Sequence, residues 1–442
     1  MTRLDAALVD EIEEAIQGNR EDLISLRRYL HAHPELSHAE YETTRTIADR
    51  LESIGFEVHV RDEGTGLYAD LTPTDFDRKQ DPTVAIRSDI DALPIEEQND
   101  VPYASTNEGV MHACGHDAHM AIVSGAGLAF DEIRSRLPGR LRLIFQHAEE
   151  QNPGGARELV SFGAMDDVDA ILGLHCDPSL ETGKIGVRKG PFTAGFDDFE
   201  VTIIGRGGHG ARPHECIDPI YVVTQVANAL YQAIGQTFDA RDPAVVSIGT
   251  IRGGDAPNTI PERAVIEGTI RTLYEDDRQE IEPMLKRIVG GVCMAHDAKY
   301  DLNVEYGAPP IYNEPAVVDR LVDVAEEMIG AENIREIPQP SMGSEDFSMY
   351  LQNTPGAMFR LGTASVGRRH LLHSPTFDVD ERAIPLGSYM MARSALRVLT
   401  GLAEGSELGG SAETVEMAQQ SRVPPRDESP EPASEEEVEA VD

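Results

Sequence analysis

The run Met111-His-Ala-Cys-Gly-His-Asp-Ala-His119 places a thiol, three imidazoles and a carboxylate within nine residues, and two adjacent acids, Glu149 and Glu150, follow about thirty residues on. Cys114 and His116 are donors suited to a transition metal such as Zn²⁺, while a carboxylate pair offers one ligand and one proton acceptor. Their Cys-Gly-His spacing lets a kinked loop present both side chains to a single cation. From these residues alone two other readings stay open. Cys and His are often simply packed in a core. A Cys/His pair can also serve as nucleophile and base, which leaves the adjacent acids without a task. Neighbouring carboxylates repel unless a cation neutralises them, so Glu149-Glu150 fits metal-assisted hydrolysis, one acid ligating and the other taking a proton from water.

The apolar pattern shows which elements must position these residues. Strand-like runs at 83–87 (TVAIR), 141–145 (LRLIF) and 170–174 (AILGL) alternate with helical stretches such as 40–54 and 117–134. Such alternation predicts an α/β catalytic domain with a mixed, largely parallel sheet flanked by helices. Ser88-Asp89-Ile90-Asp91 follows the first run, His147 to Glu150 the second and His175 the third. Ligands of open α/β sheets bind beyond the carboxyl ends of the strands, so the three polar clusters converge on one edge. His175 alone could equally be a satisfied core histidine.

From about Gly183 the texture changes to strand, helix, strand, strand, helix (198–207, 217–235, 244–253, 263–273 and 276–290). That order predicts a small α+β lid or dimerisation domain inserted between two parts of the larger one. The expected division is 1–182, insert 183–295, 296–401, and a disordered acidic tail over 402–442, rich in Glu, Ser and Pro. Helix 217–235 is apolar over much of its surface, which suits a dimer interface and core packing equally. Within the insert, His209 on a glycine-rich loop can donate to a developing oxyanion or be incidental to the turn. Asn258 equally suits a turn, and His373 has His370 as a competitor three residues before it.

Seventy-eight acids against 38 bases give a net charge of -40, and only five of the bases are Lys. A polyanion is repelled by such a chain, which excludes nucleic acid and anionic membrane surfaces as natural partners. The segment 404–442 holds twelve acids and two Arg, so most of the excess belongs to the folded body. That balance suggests a high-salt, halophilic cytoplasm, where screening makes self-repulsion tolerable, the plainer alternative being an acidic mesophilic protein. The four Cys are scattered without a disulfide framework, and the acidic, amphipathic N-terminus has no apolar signal core. A soluble, cytoplasmic protein is expected.

Read together and in order, the motifs RYLHAHPEL (28–36), SDIDALP (88–94), MHACGHDAH (111–119), HAEE (147–150), GLH (173–175), GRGGHGARPH (205–214), PNTIP (257–261), GSEDF (343–347) and LHSP (372–375) resemble the M20 metallopeptidases. The resemblance spans roughly residues 20–400 and is to the amidohydrolase branch, with aminoacylase-like, hippurate and indole-acetyl-amino-acid hydrolases. It implies two divalent metal ions (Zn, Mn, Co or Ni) held by Cys114, His116, Glu150, His175 and His373. It further implies Glu149 as general base, Asp91 as the acid behind the ligands, and His209 and Asn258 reaching substrate from the insert, His209 across a homodimer. The expected reaction is hydrolysis of the amide of an N-acyl-L-amino acid, whose carboxylate Arg212 or Asn258 would meet. Dipeptidase or carboxypeptidase activity, or a non-catalytic ligand-binding role, are the alternatives. One departure is local: after HAEE this chain has Gln151-Asn152-Pro153 where the family commonly continues with glycines.

Overall fold

In the computed structural model, which describes residues 4–239, 241–365 and 370–408, the apolar runs form the centre of an eight-stranded sheet. Its order is Glu57–Val60, Leu67–Leu71, Arg140–Gln146, Thr83–Asp89, Ala170–Glu181, Gly356–Ala364, Ile185–Val187 and Ile334–Glu336. The four strands from Arg140–Gln146 to Gly356–Ala364 are mutually parallel. Antiparallel pairs sit outside them, so the sheet is mixed, as expected. Every residue of Thr83–Asp89 is buried, because layers cover both faces, so its apolar centre Val84-Ala85-Ile86 is continuous rather than alternating.

One face of the sheet carries the helices Ala6–Gly18, Arg20–Ala32, His116–Glu132 and Ala383–Ala403, with Ile12, Leu23, Ile122, Phe130 and Leu396 in the core between. The other is closed by Ile144, Ile171, Phe347, Tyr350 and Met358. Small residues let His116–Glu132 sit against its neighbours. A Cβ at Gly125 would lie 2.4 Å from Ser388 Oγ, a distance no real contact tolerates. No helix among the described residues is long and apolar enough to cross a membrane.

A second, four-stranded antiparallel sheet runs Ala244–Gly253, Arg263–Thr272, Gly195–Ile204, Lys299–Tyr306. Helices Pro219–Thr237 and Ile281–Ala295 cover one face, over a core that includes Val201, Ile203, Val223, Leu230, Ile266 and Leu285. The expected boundaries of 183 and 295 do not coincide with the sheets. Ile185–Val187 belongs to the large sheet, and Lys299–Tyr306 belongs to the small one. Lys299–Tyr306 alternates polar and half-buried apolar residues as an edge strand does, so the expected limit at 295 stops one readable strand too early. The chain passes between the sheets on two adjacent segments, where Phe196 N–H donates to Ala308 O (2.9 Å) and Gly307 N–H donates to Phe196 O (3.1 Å). At the C-terminus the last helix runs through Ala403 and Leu408 packs into the core, so order extends past the expected start of the tail at 402. Beyond 408 that expectation lies outside the described residues.

Candidate metal centre

His116 is the first residue of helix His116–Glu132, and Gly115 before it has φ +94°. Only glycine adopts that conformation freely, and a Cβ there would lie 3.2 Å from Cys176 Cβ. The turn brings Cys114 and His116 to the same side, where His175 meets them from the large sheet. Pairing of Thr83–Asp89 with Ala170–Glu181 ends at Arg87 and Gly173, so His175 lies just past that paired stretch. Cys114 Sγ is 3.4 Å from His175 Nε2. The donor atoms of Cys114, His116 and His175 all lie within 4.8 Å of one another, as do those of Cys114, Glu150 and His373, and those of His116, Glu149 and Glu150.

Hydrogen bonds aim the rings. His116 Nδ1 donates to Asp91 O (2.9 Å) and His175 Nδ1 to Cys176 O (2.8 Å), which leaves both Nε2 atoms facing inward. His116 Nε2 and Glu150 Oε1 are buried without a hydrogen-bond partner, although Glu150 Oε1 lies 3.9 Å from one and 3.3 Å from His373 Nε2. Orphaned donors of this kind, aimed at one another, fit a divalent cation. The electrostatics agree. Burial disfavours charge on His116, yet Asp89, Asp91 and Glu150 override it and raise its pKa to about 10, so the cluster demands a positive charge. His175 is instead held well below its ordinary pKa by burial and Arg360, the neutral state in which imidazole ligates.

Burial pushes the Cys114 thiol well up, and Glu150 and Glu149 add to the effect. A nucleophilic cysteine needs the opposite shift, whereas a ligating one is deprotonated by its cation. Glu149 is also held well above the carboxylate range, by burial and by repulsion from Glu345, Glu150 and Asp346. Asp91 ties the parts together: Oδ2 accepts from Ser37 Oγ (2.7 Å) and Glu150 N–H (3.0 Å), while Oδ1 lies 3.2 Å from His116 Nδ1.

The other candidates of the MHACGHDAH run have different partners. His119 Nδ1 donates to Asp89 (2.7 Å) and its Nε2 accepts from Cys176 N–H (2.9 Å), so both nitrogens are spent. His112 is buried with both ring nitrogens unpartnered, and burial lowers its pKa to about 4. His370 bonds Thr376 O in its own loop, leaving the cluster to His373. In the insert, His209 pairs through Gly208–His209 with Thr259–Ile260, Asn258 O accepts from Gly210 N–H (2.9 Å), and Arg212 is 3.7 Å from Glu215. These three are thus gathered with one another, and none of those contacts is with the metal cluster.

Four buried polar residues lie behind the cluster, of which Glu345 and Asp346 stand in the motif GSEDF while Arg87 and Gln146 take no role from the sequence. Arg87 donates to Asp89 Oδ2 (2.7 Å), Gln146 Oε1 (2.9 Å) and Asp346 Oδ1 (3.0 Å), and lies 3.0 Å from Glu345 Oε1. Gln146 Nε2 lies 2.7 Å from both Asp346 oxygens. Burial, opposed by Arg87, raises Asp346 to about 7. An Arg inside the apolar run TVAIR was the available signal. A further group, His38, His147 and Glu158, is neutralised internally, with Arg61 2.7 Å from His147 Nε2 and 2.5 Å from Glu158 Oε2.

Known proteins resemble this chain in sequence and fold. Residues 85–397 match the model of peptidase family M20/M25/M40. The chain is similar to an N-acyl-L-amino acid amidohydrolase of Geobacillus stearothermophilus, 42% identical over 304 residues, which are 69% of this chain and 81% of that protein. It is also similar to thermostable carboxypeptidase 2 of Saccharolobus solfataricus, 38% identical over 394 residues, covering 88% and 98%. Among solved structures, YxeP of Bacillus subtilis, described as a dinuclear metal-binding peptidase from family M20, superposes with a TM-score of 0.76 at 34% identity, covering 87% of this chain and 99% of that one. With a family model over most of the chain and relatives of this identity, the chain belongs to peptidase family M20/M25/M40 and is a hydrolase of amide bonds.

Proposed function

We propose that the chain hydrolyses N-acyl-L-amino acids to a carboxylic acid and a free amino acid, using divalent cations held by Cys114, His116, Glu150, His175 and His373. The observation that carries this reading is the divided acid pair. Glu150 points its unpartnered oxygen at two histidines, while Glu149, 4.0 Å from His116 Nε2, is surrounded by acids that raise its proton affinity. Bound cations of the Zn, Mn, Co or Ni type polarise the amide carbonyl and make water more acidic. Glu149 takes the proton of the attacking water and returns it to the leaving nitrogen. Asp91 keeps His116 and the Glu150 backbone in register. His209 donates to the developing oxyanion from the insert of a second copy, and Asn258 or Arg212 receives the substrate carboxylate.

The exposed apolar side chains Ile220, Tyr221 and Tyr231 of helix Pro219–Thr237, with Val245 and Ile251 of the edge strand, support a homodimer through the insert. The acidic, Lys-poor composition supports residence in a saline cytoplasm.

EDTA is expected to abolish hydrolysis of N-acetyl amino acids, and Mn²⁺, Zn²⁺ or Co²⁺ to restore it. Glu149→Gln should keep metal binding while kcat falls about 10²–10⁴-fold. Activity that survives chelation but is lost to iodoacetamide would transfer the chemistry to Cys114. A peptidase reading is favoured by the carboxypeptidase relative, and faster turnover of an unblocked dipeptide than of its N-acetyl counterpart would select it.

A further inference from the structure

Ala148, the residue before the acid pair, has φ +49° and is fully buried. A side chain disfavours that left-handed conformation, so something must hold the backbone there. Ala148 O accepts from Gly155 N–H (3.0 Å), and two residues on Glu150 N–H is taken by Asp91. The remaining group, Ala148 N–H, donates to Glu40 Oε1 at 2.7 Å. Glu40 is itself completely buried.

A plainer role for Glu40 fails on the geometry. It directly precedes helix Tyr41–Ser53, where a carboxylate commonly caps the first turn, yet its side chain makes no cap there. Glu35 does that work instead, accepting from Glu42 N–H (3.2 Å) and Thr43 N–H (2.7 Å). Neighbouring residues point the same way: Glu35 O accepts from Ala92 N–H (2.8 Å), and Ser37 Oγ holds Asp91. The segment 35–40 therefore grips both loops that carry the site.

We propose that Glu40 is a positioning residue, whose carboxylate locks the Ala148 amide so that Glu149 and Glu150 leave the strand Arg140–Gln146 in the orientation the metal cluster requires. This rests on the reading of Glu149 and Glu150 given above. Co²⁺ titration of the metal-free protein, followed by its visible spectrum, tests it together with kcat and KM on an N-acetyl amino acid. Glu40→Leu, which fills the space without an acceptor, and Glu40→Ala should each weaken Co²⁺ binding and lower kcat about 10–100-fold, with KM changed far less. Glu40→Gln, which keeps an acceptor, should recover both to within about fivefold. Adding Ala148→Gly to Glu40→Leu should recover about tenfold, because glycine takes the positive φ without restraint.

A purely structural Glu40 predicts otherwise: a lowered melting temperature, Co²⁺ affinity and kcat within about twofold of wild type in the folded protein, and no recovery with Ala148→Gly. Near-wild-type Co²⁺ affinity and kcat in the folded variants, or no recovery with Ala148→Gly, overturns the proposal. Should wild type bind Co²⁺ yet hydrolyse no N-acyl amino acid, the functional reading fails while the Co²⁺ titrations of the same variants still decide the role of Glu40.

Discussion

Glu40 also leaves a mark on stability. Burial raises its pKa from 4.5 to about 7, against the pull of the Ala148 amide. A carboxyl whose pKa is higher folded than unfolded stabilises the fold fully below the unfolded value, and that contribution is lost as pH rises through about 7. Wild type should therefore lose stability relative to Glu40→Gln between about pH 4.5 and 7, as read by urea unfolding across that range. A difference independent of pH would show that Glu40 keeps an ordinary pKa. The contrast with Cys114 and His116 explains what can be read from sequence at this scale. Soft donors close together are rare enough to stand out, and Glu149-Glu150 stands out by following an apolar run. Glu40 is one of 78 acids, and what distinguishes it is burial against an amide 108 residues away, which no local pattern records. Glu345 and Asp346 stand in the motif GSEDF, but their burial around Arg87 is equally long-range.

The strand ends that converge on the site were readable because the buried parallel strands carry short, mainly apolar runs without strict alternation, and the polar clusters after them mark where they stop. The limits of the insert were not. Its last strand, Lys299–Tyr306, alternates legibly but carries no mark of which sheet it joins, and the root of the insert holds a tertiary ion pair. Arg278, in the short helix Glu275–Gln279 that precedes Ile281–Ala295, donates to both Asp197 oxygens (2.7–3.0 Å) and to Gly307 O (2.9 Å). Removing one member of such a buried pair costs about 3–5 kcal/mol, because the other charge is left uncompensated. Arg278→Met should therefore unfold the insert ahead of the catalytic sheet, giving two calorimetric transitions where wild type gives one. A single transition with an unchanged midpoint would mean that the pair contributes nothing net.

Across the whole molecule the dominant quantity is charge. With a net -40, self-repulsion acts over about 10 Å in 0.1 M salt but only about 3 Å in 1 M. The thermal midpoint should rise steadily as KCl is increased from about 0.1 to 2 M, and NaCl should act alike while sucrose at equal osmolality does less. A flat response to KCl would remove the case for saline adaptation. The path of the chain between its two sheets has a different kind of consequence. Entry and exit of the insert are neighbours joined by the pair Phe196–Ala308 and Gly307–Phe196. Cutting out everything between them would leave two ends already a hydrogen bond apart, so a short linker suffices to rejoin the chain there. The covalent graft of the insert is thus a single seam, while side-chain bonds such as Arg271 Nη1 to Met342 O tie it down beyond that point.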